Sequence, residues 1–201
     1  MKKQVVTLIF GDSIAYGRGD QRYGGFAGRL KKRMEKRKYG NFVYNLGIPG
    51  QRSKDVLKRV ENEIECRYNS YDNLVLIFYV GVKDAISLNE NREYINTFND
   101  SIDGIIHIGK KYTSSIYFLG LLPIDYQIRT EYNSESVFEI DGNLRRICND
   151  NKVNYLKMKE IIDLSDLKDG LHPNVKGYKK IENYLYEIIY KGRKYANNKR
   201  N

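Results

Sequence analysis

Seven consecutive apolar residues, Leu-Val-Leu-Ile-Phe-Tyr-Val at positions 74–80, constrain the fold more than any other stretch of the chain. A strand that is apolar at every position is typical of the centre of a parallel sheet covered on both faces. Shorter apolar runs predict four more strands, at residues 5–10, 42–45, 115–122 and 153–156. Amphipathic patterns between them predict helices, at residues 26–38, 53–64, 91–112, 135–149 and 174–190. The alternation predicts an α/β fold, a three-layer sandwich with a parallel sheet of about five strands.

The length of the chain, 201 residues, is that of one domain large enough to bury a proper core. The chain contains neither an internal repeat nor a low-complexity linker. We therefore expect a single domain over residues 1–191 and a basic, flexible C-terminal tail over residues 192–201.

The chain is basic, with 35 Lys and Arg against 25 Asp and Glu and a net charge of +10. Much of the excess lies in the predicted helix at residues 29–38 and in the C-terminal tail. Leu30 and Met34 form an apolar stripe in that helix, so its charges are expected to form a solvated face. No nucleic-acid-binding motif accompanies the charge, which argues against a nucleic-acid partner.

No segment approaches the ~20 consecutive apolar residues of a membrane-spanning helix. Lys2 and Lys3 precede an apolar run that is too short for a signal peptide and leads directly into a serine motif. A cytoplasmic protein is therefore predicted. Cys66 and Cys148 lack metal-ligand spacing and fall on apolar helix positions, so we expect two buried free thiols.

A serine follows the first predicted strand, in the sequence Gly11-Asp12-Ser13. Ligands of open parallel sheets bind at the carboxyl ends of the strands, where Ser13 is expected to lie. Serine is a weak nucleophile, so a catalytic role requires a nearby base. Asp12 is expected mainly to cap local N–H groups.

Only two histidines are available as that base, His107 and His172. His107 lies inside a predicted helix without catalytic neighbours. His172 follows Asp169 by three residues, in Asp-Gly-Leu-His-Pro-Asn. On one turn, the Asp169 carboxylate can hold one ring nitrogen while the other accepts the Ser13 proton. This pattern predicts a Ser-His-Asp triad.

These blocks, in this order, resemble the SGNH/GDSL family of hydrolases. The resemblance implies that Ser13 is the nucleophile and that Asp169 and His172 complete the triad. It also implies that Gly50, the last residue of Asn-Leu-Gly-Ile-Pro-Gly at positions 45–50, supplies an oxyanion-hole N–H beside that of Ser13. The implied architecture is the SGNH hydrolase fold, with a flavodoxin-like sheet.

The third block of the family, Gly-x-Asn-Asp, reads Gly81-Val82-Lys83-Asp84 in this chain. Lys83 therefore replaces the asparagine that completes the family's oxyanion hole. Lysine can still donate to an oxyanion, but its side chain is longer and charged. Three outcomes are open: Lys83 donates to the oxyanion, it turns outward to pair with Asp84 or a substrate anion, or the enzyme is weak.

The resemblance implies a serine hydrolase that cleaves a carboxylic ester or thioester through an acyl-enzyme, with short-chain or O-acetyl esters favoured. The alternative is a non-catalytic or weakly active binding protein on the same fold, suggested by Lys83. The expected partner is a small ester, with no cofactor and no metal, and the residues carry no prediction of oligomeric state. Four further residues are candidates for substrate binding: Asp12, Tyr16, Asp84 and Pro123.

Overall fold

The computed structural model describes residues 4–36, 41–70 and 72–191. Its centre is a sheet of five parallel strands in the order β2-β1-β3-β4-β5. The strands are β1 (Val5–Gly11), β2 (Asn41–Gly47), β3 (Asn73–Tyr79), β4 (Ile116–Leu119) and β5 (Asn154–Leu156). The predicted basic tail at 192–201 and the end of the first predicted helix lie outside the described residues, and the division into domain and tail stays a prediction.

Eight α-helices connect and flank the strands in the described part of the chain. They are α1 (Ser13–Tyr16), α2 (Gly25–Glu35), α3 (Ser53–Leu57), α4 (Val60–Glu65), α5 (Val82–Glu90), α6 (Tyr94–Tyr112), α7 (Ser134–Asp150) and α8 (Val175–Leu185). Helices α2 and α8 pack together on one face of the sheet, whereas α3 to α7 pack together on the other. The predicted three-layer α/β/α sandwich is confirmed.

Three phenylalanines stack across the middle of the sheet. Phe10 of β1 is in register with Phe78 of β3, which is in register with Phe118 of β4. The ring centroids are 5.2 Å and 4.8 Å apart, and all three side chains are fully buried. Large rings at matching positions on neighbouring strands favour this register, because a slip by one residue would turn them to the other face.

The strands that carry the predicted site end at the same level. Gly11, the last residue of β1, is in register with Gly47 of β2 and Tyr79 of β3. A Cβ atom at Gly11 would lie 2.1 Å from the Tyr79 carbonyl oxygen, and its φ of +150° is a conformation that favours glycine. Only glycine therefore lets β1 approach β3 so closely at this edge.

Several predicted elements differ from the structure. The predicted helix 53–64 is two helices, α3 and α4, and Cys66 lies beyond the last turn of α4, where it is exposed rather than buried. Cys148 is buried, as expected. Strand β4 ends at Leu119, because the two N–H groups that follow do not bond to β3. Gly120 donates to the Leu156 carbonyl, and Leu121 donates to the Asp141 carboxylate.

Among the described residues, no helix has the length and apolar character needed to cross a membrane. The cytoplasmic location remains a prediction.

We expect Phe78→Ala to lower the free energy of unfolding by about 3–5 kcal/mol, because it removes the central ring of the stack and leaves a cavity. Urea unfolding followed by circular dichroism measures the loss. Phe138→Ala is the matched control, because that ring is 75% exposed and its removal should change stability little. Equal losses in the two variants would contradict a central role for the stack.

Candidate active site

Ser13 lies immediately beyond β1, as the first residue of the short helix α1. Asp12 precedes it and its Oδ1 accepts a hydrogen bond of 2.8 Å from the Ile14 N–H, so the carboxylate caps α1. The Ser13 side chain is only half-buried. Its hydroxyl therefore lies at the carboxyl edge of the sheet, as the sequence analysis predicted.

Ser13, His172 and Asp169 form a continuous hydrogen-bonded chain. Ser13 Oγ lies 2.9 Å from His172 Nε2, and His172 Nδ1 lies 2.8 Å from Asp169 Oδ2. The Asp169 Oδ1 atom also accepts from the backbone N–H of His172 at 2.8 Å. The carboxylate thus holds both the ring and the backbone of the histidine, which leaves Nε2 directed at the serine.

The surroundings of His172 keep its ring neutral. Burial lowers the pKa of His172, and the positive charges of Arg18 and Arg129 lower it further, while Asp169 opposes them. Burial alone would raise the pKa of Asp169, but the hydrogen bonds from the His172 backbone and ring lower it below the usual range. Near neutral pH the pair is therefore a neutral imidazole beside a carboxylate, the state in which the ring can accept a proton.

The turn at Gly50 lies at the same edge of the sheet as Ser13. The Ile48 N–H donates to the Gly11 carbonyl at 2.9 Å, which ties the turn to the end of β1. Gly50 has φ +84°, and no atom lies within 4 Å of the position of a Cβ, so its backbone borders open space. Neither the Ser13 N–H nor the Gly50 N–H donates to another described backbone group. Both N–H groups therefore lack a backbone acceptor in the part of the chain that the structure describes.

Lys83 occupies the second position of α5 and is half-buried. Its charge lowers the pKa of the Asp12 carboxyl group, so the two side chains lie within electrostatic reach. Its Nζ makes neither a hydrogen bond nor an ion pair with any described residue. In particular Lys83 does not pair with Asp84, which excludes one of the arrangements considered from the sequence. The helix that carries it was not predicted.

The structure corrects the expectation that Asp12 and Asp84 contact substrate. Their residues are only 2% and 0% exposed, so neither carboxylate reaches the cleft. Burial raises the pKa of Asp12 to about 7, and burial also raises that of Asp84. Both side chains instead support the backbone beneath the site.

Asp84 in α5 joins the first residues of two other helices, α3 and α6. It accepts hydrogen bonds from the Ser53 N–H at 3.1 Å, from the Ser53 hydroxyl at 2.6 Å and from the Tyr94 hydroxyl at 3.1 Å. Arg52 is the N-cap of α3, and Ser53 is its buried first helical residue. The sequence signal for Ser53 and Tyr94 is weak, because their partner lies 31 and 10 residues away.

The segment after β4 packs against the turn that carries Asp169 and His172. The Asp125 N–H donates to the Gly170 carbonyl at 2.9 Å, and Gly170 lies two residues before His172. Pro123 in this segment is half-buried, while Tyr16, at the end of α1, is 55% exposed. Both remain candidates for substrate contact.

No group of three or more His, Cys, Asp or Glu residues suited to hold a metal ion occurs in the part of the chain that the structure describes.

The family model for GDSL-like lipases and acylhydrolases matches residues 9–180, a range that contains the complete Ser-His-Asp chain. The protein belongs to this family. No curated protein sequence matches the chain.

Two solved structures show the same fold as this GDSL-like chain. A lipase/acylhydrolase from Enterococcus faecalis is 22% identical, covers 96% of this chain and 97% of its own, and has a TM-score of 0.75. An acetylxylan esterase from Geobacillus stearothermophilus is 15% identical, covers 92% of this chain and 94% of its own, and has a TM-score of 0.69. Catalytic mutants of that esterase replace a serine, an aspartate or a histidine by alanine. At these identities the likeness shows a shared fold.

We expect Asp84→Ala to lower the free energy of unfolding by roughly 2–3 kcal/mol, because it leaves the Ser53 and Tyr94 donors buried without an acceptor. Urea unfolding measures the loss. Tyr94→Phe removes only one of the three donors and should cost about 1 kcal/mol. An Asp84→Ala variant that unfolds at the wild-type urea concentration would show that the network contributes nothing to stability.

Proposed function

We propose that the protein is a serine esterase that hydrolyses a carboxylic ester or thioester through an acyl-enzyme. The observation that carries the proposal is the chain of short contacts from Ser13 Oγ to His172 Nε2 and from His172 Nδ1 to Asp169. The same three residue types are replaced in the catalytic mutants of the acetylxylan esterase. A short acyl group, such as acetyl, is the proposed substrate portion.

In the first half of the reaction, Ser13 Oγ attacks the acyl carbonyl carbon while His172 Nε2 takes the hydroxyl proton. Asp169 stabilises the imidazolium that forms. The tetrahedral intermediate collapses when His172 gives that proton to the departing alkoxide or thiolate, which leaves the acyl group on Ser13. Water then attacks the acyl carbonyl carbon while His172 takes its proton. His172 returns this proton to Ser13 Oγ as the carboxylic acid leaves, which restores Ser13.

The N–H groups of Ser13 and Gly50 are the proposed donors to the oxyanion. Both lie at the same sheet edge, and neither donates to another described backbone group. Backbone donors that are already in place need no reorganisation when the charge develops, so they lower the barrier efficiently. Lys83 is the proposed third donor, because its ammonium group lacks a partner among the described residues and acts on the Asp12 carboxyl beside Ser13.

Ser13→Ala should lower the hydrolysis of 4-nitrophenyl acetate by about 10⁴-fold or more, because no other group replaces the nucleophile. Release of 4-nitrophenolate measures the rate. In the wild type, kcat/KM should rise with pH through a pKa below the ordinary histidine value of about 6.5, since neutral His172 is the base and its pKa is lowered.

Ser70→Ala is the matched control for this assay, because Ser70 is exposed and lies before the start of β3, at the opposite edge of the sheet. Its rate should equal that of the wild type. A wild-type rate no higher than that of Ser13→Ala would overturn the esterase proposal and favour a binding protein on this fold.

Lys83→Ala should lower kcat by about 10²-fold if the ammonium group donates to the oxyanion, a typical loss for one such donor. Lys83→Asn restores a neutral donor and should lie between Lys83→Ala and the wild type. The measurement is kcat on 4-nitrophenyl acetate at saturation. A kcat that rises in Lys83→Asn would instead show that lysine impairs the hole.

A further inference from the structure

A groove of about 740 Å³ lies beside the His172 turn, apart from the oxyanion donors. It is lined by Gly19, Lys168, Asn174, Val175, Lys176 and Lys179. Every charged residue of this lining is a lysine, and all three lysines are exposed. None of the three forms an ion pair with an acidic residue in the described part of the chain. A cleft lined by one sign of charge concentrates ligands of the opposite sign.

Two contacts connect the groove to the base of the triad. The Lys168 N–H donates to the His172 carbonyl at 2.8 Å, so the backbone of the lysine is held against that of the histidine. A Cβ atom on Gly19 would lie 3.7 Å from His172 Cβ and 3.7 Å from Lys168 Cδ. Gly19, which lines the groove, thus lies directly beside His172.

The direction of the reaction decides which part of an ester faces this groove. In the proposed mechanism His172 hands its proton to the departing oxygen or sulfur, so the alcohol or thiol portion must lie on the histidine side. The carbonyl oxygen points instead toward the N–H groups of Ser13 and Gly50. Arg18, which precedes Gly19 and lowers the pKa of His172, adds a further positive charge to the histidine side.

Two N–H groups in the first turn of α8, those of Lys176 and Gly177, donate to the Asn174 side chain at 2.9 Å and 3.0 Å. They are therefore not available to a ligand. The ammonium groups of Lys168, Lys176 and Lys179 are the charged donors of this lining. Asp163 lies near enough for the Lys176 charge to lower its pKa, but no ion pair between them forms.

We propose that the substrate is an ester or thioester whose alcohol or thiol portion carries a phosphate group, and that Lys168, Lys176 and Lys179 bind this group in the groove. The inference rests on the proposed function for the orientation of the substrate. It assigns specificity for the leaving portion to the lysines.

The test compares phenyl acetate with 4-acetoxyphenyl phosphate, which differ only by a phosphate on the alcohol portion. The variant carries Lys168→Gln, Lys176→Gln and Lys179→Gln together. We expect the ratio of kcat/KM for the phosphate ester to that for phenyl acetate to fall about tenfold at low salt, because three attractive charges are removed. Added salt should lower the wild-type ratio as well.

The matched control carries Lys58→Gln, Lys110→Gln and Lys152→Gln, three exposed lysines outside the groove. It removes the same net charge and should leave the ratio unchanged. An equal fall in both triple variants, or no fall in either, would overturn the proposal. A charge on the acyl portion, tested with 4-nitrophenyl succinate monoester against 4-nitrophenyl butyrate, should be insensitive to the groove lysines.

Binding of phenyl phosphate to the Ser13→Ala variant, measured by calorimetry, separates the two proposals. Dissociation about tenfold weaker when the groove lysines are also changed supports the anion groove whether or not any ester is cleaved. Unchanged binding together with wild-type hydrolysis of both esters would overturn the groove and leave the esterase intact. Absence of hydrolysis of both esters by the wild type would overturn the esterase and, with it, the assigned substrate class.

Discussion

The stack of Phe10, Phe78 and Phe118 is the interaction on which the candidate site depends. The three rings are completely buried and lie in register on three neighbouring parallel strands. Because β1 and β3 are held in that register, and β2 is paired with β1, all three strands end at one level of the sheet. The loops that follow them therefore bring Ser13, Gly50 and Lys83 to one edge. Packing in the core thus brings residues that are distant in sequence to the same edge of the sheet.

Two carboxylates hold the site in place by different means. Asp169 acts within one turn, where it binds the backbone and ring of His172. Asp84 acts across the fold, because it joins the start of α5 to Ser53 at the start of α3. A buried carboxylate is costly unless several donors satisfy it, and Asp84 has such donors. The local contact orients the ring of His172, whereas the long-range contact holds the start of α5 against the start of α3.

Charge is distributed unevenly around the reactive serine. Positive groups lie on both sides of it, with Lys83 on the oxyanion side and Arg18 and the groove lysines on the histidine side. The net charge of +10 by itself suggested only a solvated surface. The proposed role of this charge depends on the position of Lys168 and Lys176 in one groove. Lys168 lies there because its backbone N–H donates to the His172 carbonyl. Positive charge on both sides of a reactive serine suits an anionic substrate better than a neutral one.

The sequence by itself determined the layer architecture and pointed to Ser13, His172 and Asp169, whose side chains the structure joins by hydrogen bonds. Continuous apolar runs require a sheet buried on both faces, and the Asp169–His172 spacing of three residues is short enough for one turn to bring the pair together. Only the tertiary structure decided what Asp84 and Ser53 do and that Asp12 is buried, because burial and the partners of a polar group depend on segments distant in the chain. It also decided that Cys66 is exposed, since the helix ends one residue earlier. Local patterns specify elements; contacts between elements assign each polar side chain to the core, the cleft or the surface.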